Sequence, residues 1–148
     1  MKINVVGTSG SGKSTFSKRL SQIMNTPYIE MDKIFWGPNW YWPTDEEFFG
    51  KLQNQLQQDS WILDGNYTRT IPIKWKNVDT VIWLDYPFLT TLFRATKRAF
   101  FRSLTQEELW EGTGNRESFK KSFFSKESII LWMIKTHSQV RKKFESYM

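Results

Sequence analysis

The chain contains no cysteine and a single histidine, His137. Without cysteine, no disulfide can cross-link it and no thiolate can hold zinc or an iron–sulfur cluster. That composition is compatible with a reducing cytoplasm, the expected location. Long apolar runs are also lacking. The longest, Ile129 to Ile134, is far below the roughly 20 residues that a membrane span needs. A strand-like pattern starts at Lys2 and leaves no room for a signal peptide, so a soluble chain with no membrane partner is expected. Acidic excess is absent too: 21 Lys and Arg face 15 Asp and Glu, for a formal charge of +6. The imbalance is local. Residues 1–93 carry nine of each sign, whereas residues 94–148 carry twelve basic against six acidic. A basic segment suits nucleic acid and a triphosphate alike, and charge alone does not separate them.

What the chain has in quantity is aromatic mass, with eight Trp and twelve Phe in 148 residues. One domain spanning residues 1–148 around one core is expected. Against that background the stretch Gly7-Thr8-Ser9-Gly10-Ser11-Gly12-Lys13-Ser14-Thr15 matches G-x-x-x-x-G-K-[ST], the P-loop. Its glycines allow a tight turn and a close backbone approach to phosphate oxygens. Lys13 supplies a cation to the β- and γ-phosphates of ATP, the Ser14 hydroxyl a ligand for Mg²⁺, and the following helix a positive dipole end. Context agrees: Lys2 to Val6 has strand character, and Phe16, Leu20, Ile23 and Met24 recur on one expected helix face.

Further along, Pro27 to Asp32 has the pattern of a second strand, with Glu30 and Asp32 on one face. Asp32 at its end is the candidate general base for an acceptor hydroxyl; a turn-capping role is the plainer alternative. The aromatic loop Phe35, Trp36, Trp40, Tyr41, Trp42 suits stacking on a flat substrate, although core packing is expected for most of it. Thr44-Asp45-Glu46-Glu47 is a capping box before Phe48, Leu52 and Leu56. Ser60 to Asp64 and Asp79 to Asp85 are the third and fourth expected strands, and Asp64 is placed as the carboxylate for a metal-bound water. Leu89, Leu92, Phe93 and Phe100 mark a helix that also carries Arg94, Arg98 and Arg102 every four residues. Residues 103–117, with Gly112 and Gly114, form a lid-like polar stretch from which Arg116 can reach a transferring phosphoryl group. A long helical segment with Ile130, Ile134 and Phe144 inward closes the chain. Strands alternating with helices predict an α/β fold of three layers, α/β/α, with a parallel sheet and ligands beyond the carboxyl ends of its strands.

With these residues assembled, the chain resembles the adenylate-kinase-like branch of P-loop kinases, and within it the family of DNA topology modulation proteins. The likeness is carried by the P-loop, by Met31-Asp32 before Trp-rich sequence, by Trp61 to Tyr67, and by Trp83-Leu84-Asp85-Tyr86-Pro87. It implies that Asp64 organises Mg²⁺-bound water, that Arg94 lies against the nucleotide base and that Arg98 reaches phosphate. Asp64-Gly65 is followed by Asn66-Tyr67 where true adenylate kinases carry Phe-Pro-Arg, which argues against an AMP-type acceptor. The expected activity is transfer of the γ-phosphate of ATP, with Mg²⁺, to a small hydroxyl- or phosphate-bearing acceptor. No Asn-Lys-x-Asp guanine-reading sequence is present, which disfavours a GTPase switch. The alternative is a nucleotide-binding regulator that touches DNA through the basic last third; a nucleic-acid partner is admitted but not favoured.

Overall fold

The computed structural model of the protein describes residues 1–125 and 128–147; Lys126, Glu127 and Met148, which the expected domain includes, lie outside the described residues. Two compact units are present: Met1–Val6 with Gly12–Leu84, and Gly7–Ser11 with Asp85–Met148.

In the first unit, four short strands form one sheet in the order β2-β3-β1-β4: β1 (Lys2–Gly7), β2 (Tyr28–Glu30), β3 (Trp61–Asp64) and β4 (Thr80–Leu84). β3 runs parallel to both β1 and β2. The register sets Val5 and Glu30 level with Asp64, so the carboxyl ends of three strands come together. Parallel neighbours require crossovers, and helices flank the sheet. They are α1 (Lys13–Met24), the short α2 (Met31–Phe35), α3 (Asp45–Gln55) and the single-turn α4 (Ile71–Lys74). Strand alternation divides the core. Trp61 and Leu63 pack with Ile29, Phe35, Phe48 and Leu52, while Ile62 packs with Ile3, Val5, Leu20 and Met24. Thr44 and Glu47 form the expected capping box at the start of α3, with Phe48 and Leu52 fully buried.

Two expectations change here. On α1 the inward residues are Ser17, Leu20 and Met24, whereas Phe16 is exposed and Ile23 is 82% exposed. The second strand also stops earlier, at Glu30, and Asp32 lies in the first turn of α2. Met31 and Phe35, four residues apart, are both buried. The helical turn sets these two on one face, one above the other.

The second unit is helical: α5 (Phe88–Thr105), α6 (Phe119–Phe124) and α7 (Ile129–Glu145). α5 was expected to bury Leu89 and Phe93, yet both are exposed, at 74% and 69%. Its buried residues are Thr91, Ala95, Ala99 and Ser103, one small side chain per turn. The cause is close approach. A Cβ on Gly10 would stand 2.3 Å from the Thr91 carbonyl oxygen, so only small side chains fit between α5 and the loop segment Gly7–Ser11. α7 buries Met133, His137 and Phe144, while Ile134 is exposed, contrary to expectation. α5 extends through Thr105, so the first residues of the stretch 103–117 are helical. The rest folds back on itself: Leu109 N–H donates to the Asn115 carbonyl at 2.8 Å, and Glu108 and Arg116 form an antiparallel bridge. Among the described residues, no helix is long and apolar enough to cross a membrane.

Candidate functional site

Asp64 is the focus of the first unit. It ends β3 with only 4% of its surface exposed. Its Oδ2 accepts a hydrogen bond from the Tyr28 hydroxyl at 3.2 Å, while Oδ1 is buried with no hydrogen-bond partner. Burial pushes the Asp64 carboxyl up from its ordinary value, and nearby Asp32 adds to this; the Lys13 charge and the hydroxyls of Ser14 and Tyr28 oppose it. Lys13 and Ser14 open α1 directly after Gly12, which caps the helix in a left-handed conformation without a side-chain hydrogen bond. Thr15 follows, exposed, in the same turn. A buried carboxylate oxygen without a donor, beside a serine hydroxyl and a lysine, fits Mg²⁺ with its waters. That ion is commonly held by one or two protein oxygens together with substrate phosphates. Asp64 and Ser14 are the residues that would hold it.

A buried polar network fixes the turn after Asp64. Asn4 Nδ2 donates to the Leu63 carbonyl at 3.0 Å, and Trp75 Nε1 donates to Asn4 Oδ1 at 2.8 Å. The Lys74 ammonium donates to the Gly65 carbonyl at 3.1 Å and also to that of Asn66. Gly65 itself admits no side chain: its φ is +148°, and a Cβ would lie 2.7 Å from the Met31 side chain. Desolvation holds Lys74 down at about 7.

Asp32 stands exposed on α2, and its Oδ1 accepts the Tyr67 hydroxyl at 2.6 Å. Burial, then the Asp32 charge, raises the Tyr67 phenol well above its ordinary value, so it remains a donor. Tyr67 in turn packs against Phe35 and Phe48. Of the aromatic loop only Phe35 is buried; Trp36 and Trp40 are half-buried with rings 5.4 Å apart, and Tyr41 and Trp42 are exposed. Core packing therefore takes fewer of these rings than expected.

The second unit holds Gly7–Ser11 and the candidate site arginines Arg94, Arg98 and Arg116. Thr8 and Ser11 are buried, Ser9 is half-buried, and the Ser11 N–H closes a turn onto the Thr8 carbonyl at 3.2 Å. Arg98 Nη2 donates to Ser9 Oγ at 3.4 Å, which brings one predicted phosphate-binding arginine to the predicted phosphate loop. Arg94 lies over the Tyr86 ring, 4.7 Å from its centroid, and Arg102 pairs with Glu117 at 3.6 Å. Burial raises the Glu117 carboxyl, and Arg102 and then Arg98 oppose the rise. Arg116 is exposed. Asp85 pairs with Arg141 at 2.9 Å, and His137 packs edge-on against Phe88. Tyr28, Tyr67, Lys74 and Asn4 were not singled out from sequence. Tyr28 alone left a signal, since it lies two residues before Glu30 on a strand and so shares its face.

A gluconokinase from Sinorhizobium meliloti 1021 has a similar solved structure: TM-score 0.52, 16% identity, covering 91% of this chain and 73% of that one. At that identity the likeness is one of fold alone, a parallel sheet with flanking helices. No family model matches the chain, and no curated protein matches it.

Proposed function

We propose that the protein is an ATP- and Mg²⁺-dependent phosphotransferase acting on a small molecule, in the three-layer arrangement of adenylate-kinase-like P-loop kinases. The observation that carries this reading is Asp64: a nearly buried carboxylate with an unpartnered oxygen, next to the Lys13 and Ser14 of a P-loop sequence. The gluconokinase likeness supports the fold side of the reading and names no acceptor for this chain.

The roles follow from chemistry. Backbone N–H groups of Gly7 to Thr15 wrap the triphosphate, and Lys13 neutralises charge at its β- and γ-phosphates. When bound, Mg²⁺ supplies further charge neutralisation on the phosphate oxygens. Asp32 takes the proton from the acceptor hydroxyl as its oxygen forms the new bond to phosphorus and the bond to ADP breaks. Tyr67 orients Asp32. Arg94 takes the base, Arg98 phosphate, and Arg116 the transferring group.

A thermal-shift screen tests this, using nucleosides, nucleotides, sugars and sugar acids in the presence of a nonhydrolysable ATP analogue. Compounds that shift the protein are then assayed for ADP formation. Lys13→Ala should weaken ATP binding roughly 10- to 100-fold, the worth of a charge-assisted hydrogen bond, and bring turnover below detection. Wild-type ATP affinity and turnover in that variant would end the reading.

A further inference from the structure

We propose that Tyr28 is a positioning residue for the metal-binding carboxylate: its phenol fixes one oxygen of Asp64 so that the other is presented, beside Ser14, to Mg²⁺ entering with ATP. This rests on the phosphotransfer reading and extends it to a residue outside the P-loop and outside both acidic motifs.

The geometry is that of an oriented ligand. Tyr28 begins β2, and its hydroxyl reaches across the neighbouring strand to Asp64 Oδ2 at 3.2 Å. The Ser14 hydroxyl interacts with the same carboxylate and with the same phenol, so the three groups form one cluster. Asp64 Oδ1 is left buried without a donor. A carboxylate gripped at one oxygen cannot rotate to hide the other, and an oxygen without a donor is ready for a cation and its waters. Ser14 cannot supply that grip by itself, because its oxygen is the one expected to turn to the metal. The phenol can, because it is half-buried and its hydroxyl already donates to Oδ2. The Lys18 ammonium, 5.6 Å from the ring centroid, adds a cation–π contact that holds the ring in place. Partners behind a metal ligand typically change metal affinity or activity by about 10- to 100-fold when removed.

Tyr28→Phe keeps the ring and deletes only the donor. Melting temperatures of both proteins are measured with a nonhydrolysable ATP analogue, first in EDTA and then with Mg²⁺. The shift in EDTA should be equal in the two, and the additional shift on adding Mg²⁺ should be largely lost in the variant. In turnover, the Mg²⁺ concentration giving half-maximal rate should rise by roughly 10-fold or more, with the KM for ATP at saturating Mg²⁺ unchanged. Placed in an Asp64→Asn background, Tyr28→Phe should have no further effect on the Mg²⁺-dependent shift. An unaltered Mg²⁺ shift in Tyr28→Phe, or effects of the two substitutions that simply add, would overturn the proposal while leaving phosphotransfer intact. A wild-type protein with neither a Mg²⁺-dependent shift nor ATP turnover would instead overturn the phosphotransfer reading itself.

Discussion

At the scale of single residues, the two candidate site carboxylates, Asp64 and Asp32, divide by environment. Asp64 is buried and gripped by a phenol, as suits a metal site; Asp32 is exposed with one oxygen engaged by Tyr67, as suits a base that must meet an acceptor. Asp32→Asn retains size and hydrogen bonding but takes no proton. Acceptor phosphorylation should fall roughly 10²- to 10⁴-fold with ATP affinity nearly unchanged, and full activity in a coupled ADP assay would dismiss Asp32 as the base. Lys74 gives a prediction about stability. Its folded value, about 7, lies below the ordinary lysine value of 10.5, so the unfolded chain binds the extra proton between those limits. The sign follows: stability should rise with pH from about 7 to 10.5 and be lost as pH falls through about 7. Urea unfolding followed by tryptophan fluorescence should show that rise in the wild type. Lys74→Met should flatten it, at the cost of the bonds to the Gly65 and Asn66 carbonyls. A wild-type curve that falls over this range would contradict the buried, neutral-leaning lysine.

At the scale of elements, the two glycines inside the loop differ in what surrounds them. Both have positive φ, +78° at Gly10 and +87° at Gly12, but a Cβ on Gly12 meets nothing within 4 Å. Gly12→Ala should therefore cost only backbone strain, about 1–2 kcal/mol. Gly10→Ala adds the collision with the Thr91 carbonyl and should lower the melting temperature further; equal losses would refute the close approach of α5. That approach also explains what was legible in the sequence and what was not. Strand, loop and helix around the P-loop, the capping box and Asp64 at a strand end were legible, because each depends on neighbours within a few residues. The inward face of α5 was not. Its small residues are selected by the loop segment Gly7–Ser11, more than seventy positions away in the chain, and periodicity gave priority to Leu89 and Phe93, which stand in solvent. The same holds for the phenols: the partners of Tyr28 and Tyr67 lie 36 and 35 residues away. No local pattern marks such pairs.

At the scale of the whole molecule, the question is what the basic last third does. Charge alone admitted DNA, but two of the five arginines of that third, Arg102 and Arg141, are already held by carboxylates. Arg98 meets Ser9, Arg102 pairs with Glu117, Arg94 lies on Tyr86, and Arg141 pairs with Asp85 and Glu145 at 2.9 and 3.4 Å. Bidentate arginine is the commonest reader of base edges, and a guanidinium held by a carboxylate of its own chain is poorly disposed to read anything else. The lysines that remain, among them the exposed Lys97, Lys120, Lys121, Lys142 and Lys143, attract phosphate without regard to sequence. DNA binding should therefore be weak and uniform. Fluorescence anisotropy with duplexes of unrelated sequence should give equal affinities that collapse between about 50 and about 200 mM salt, as counterion release demands. Saturating duplex should leave ADP formation with the true acceptor unchanged. Phosphotransfer should in turn lose activity with Lys13→Ala under conditions where DNA binding is unaffected, since one lysine of many carries little of a diffuse attraction. Sequence-selective binding that survives at the higher salt, together with ATP turnover that depends on DNA, would reverse the assignment and make the basic third the working surface of a regulator.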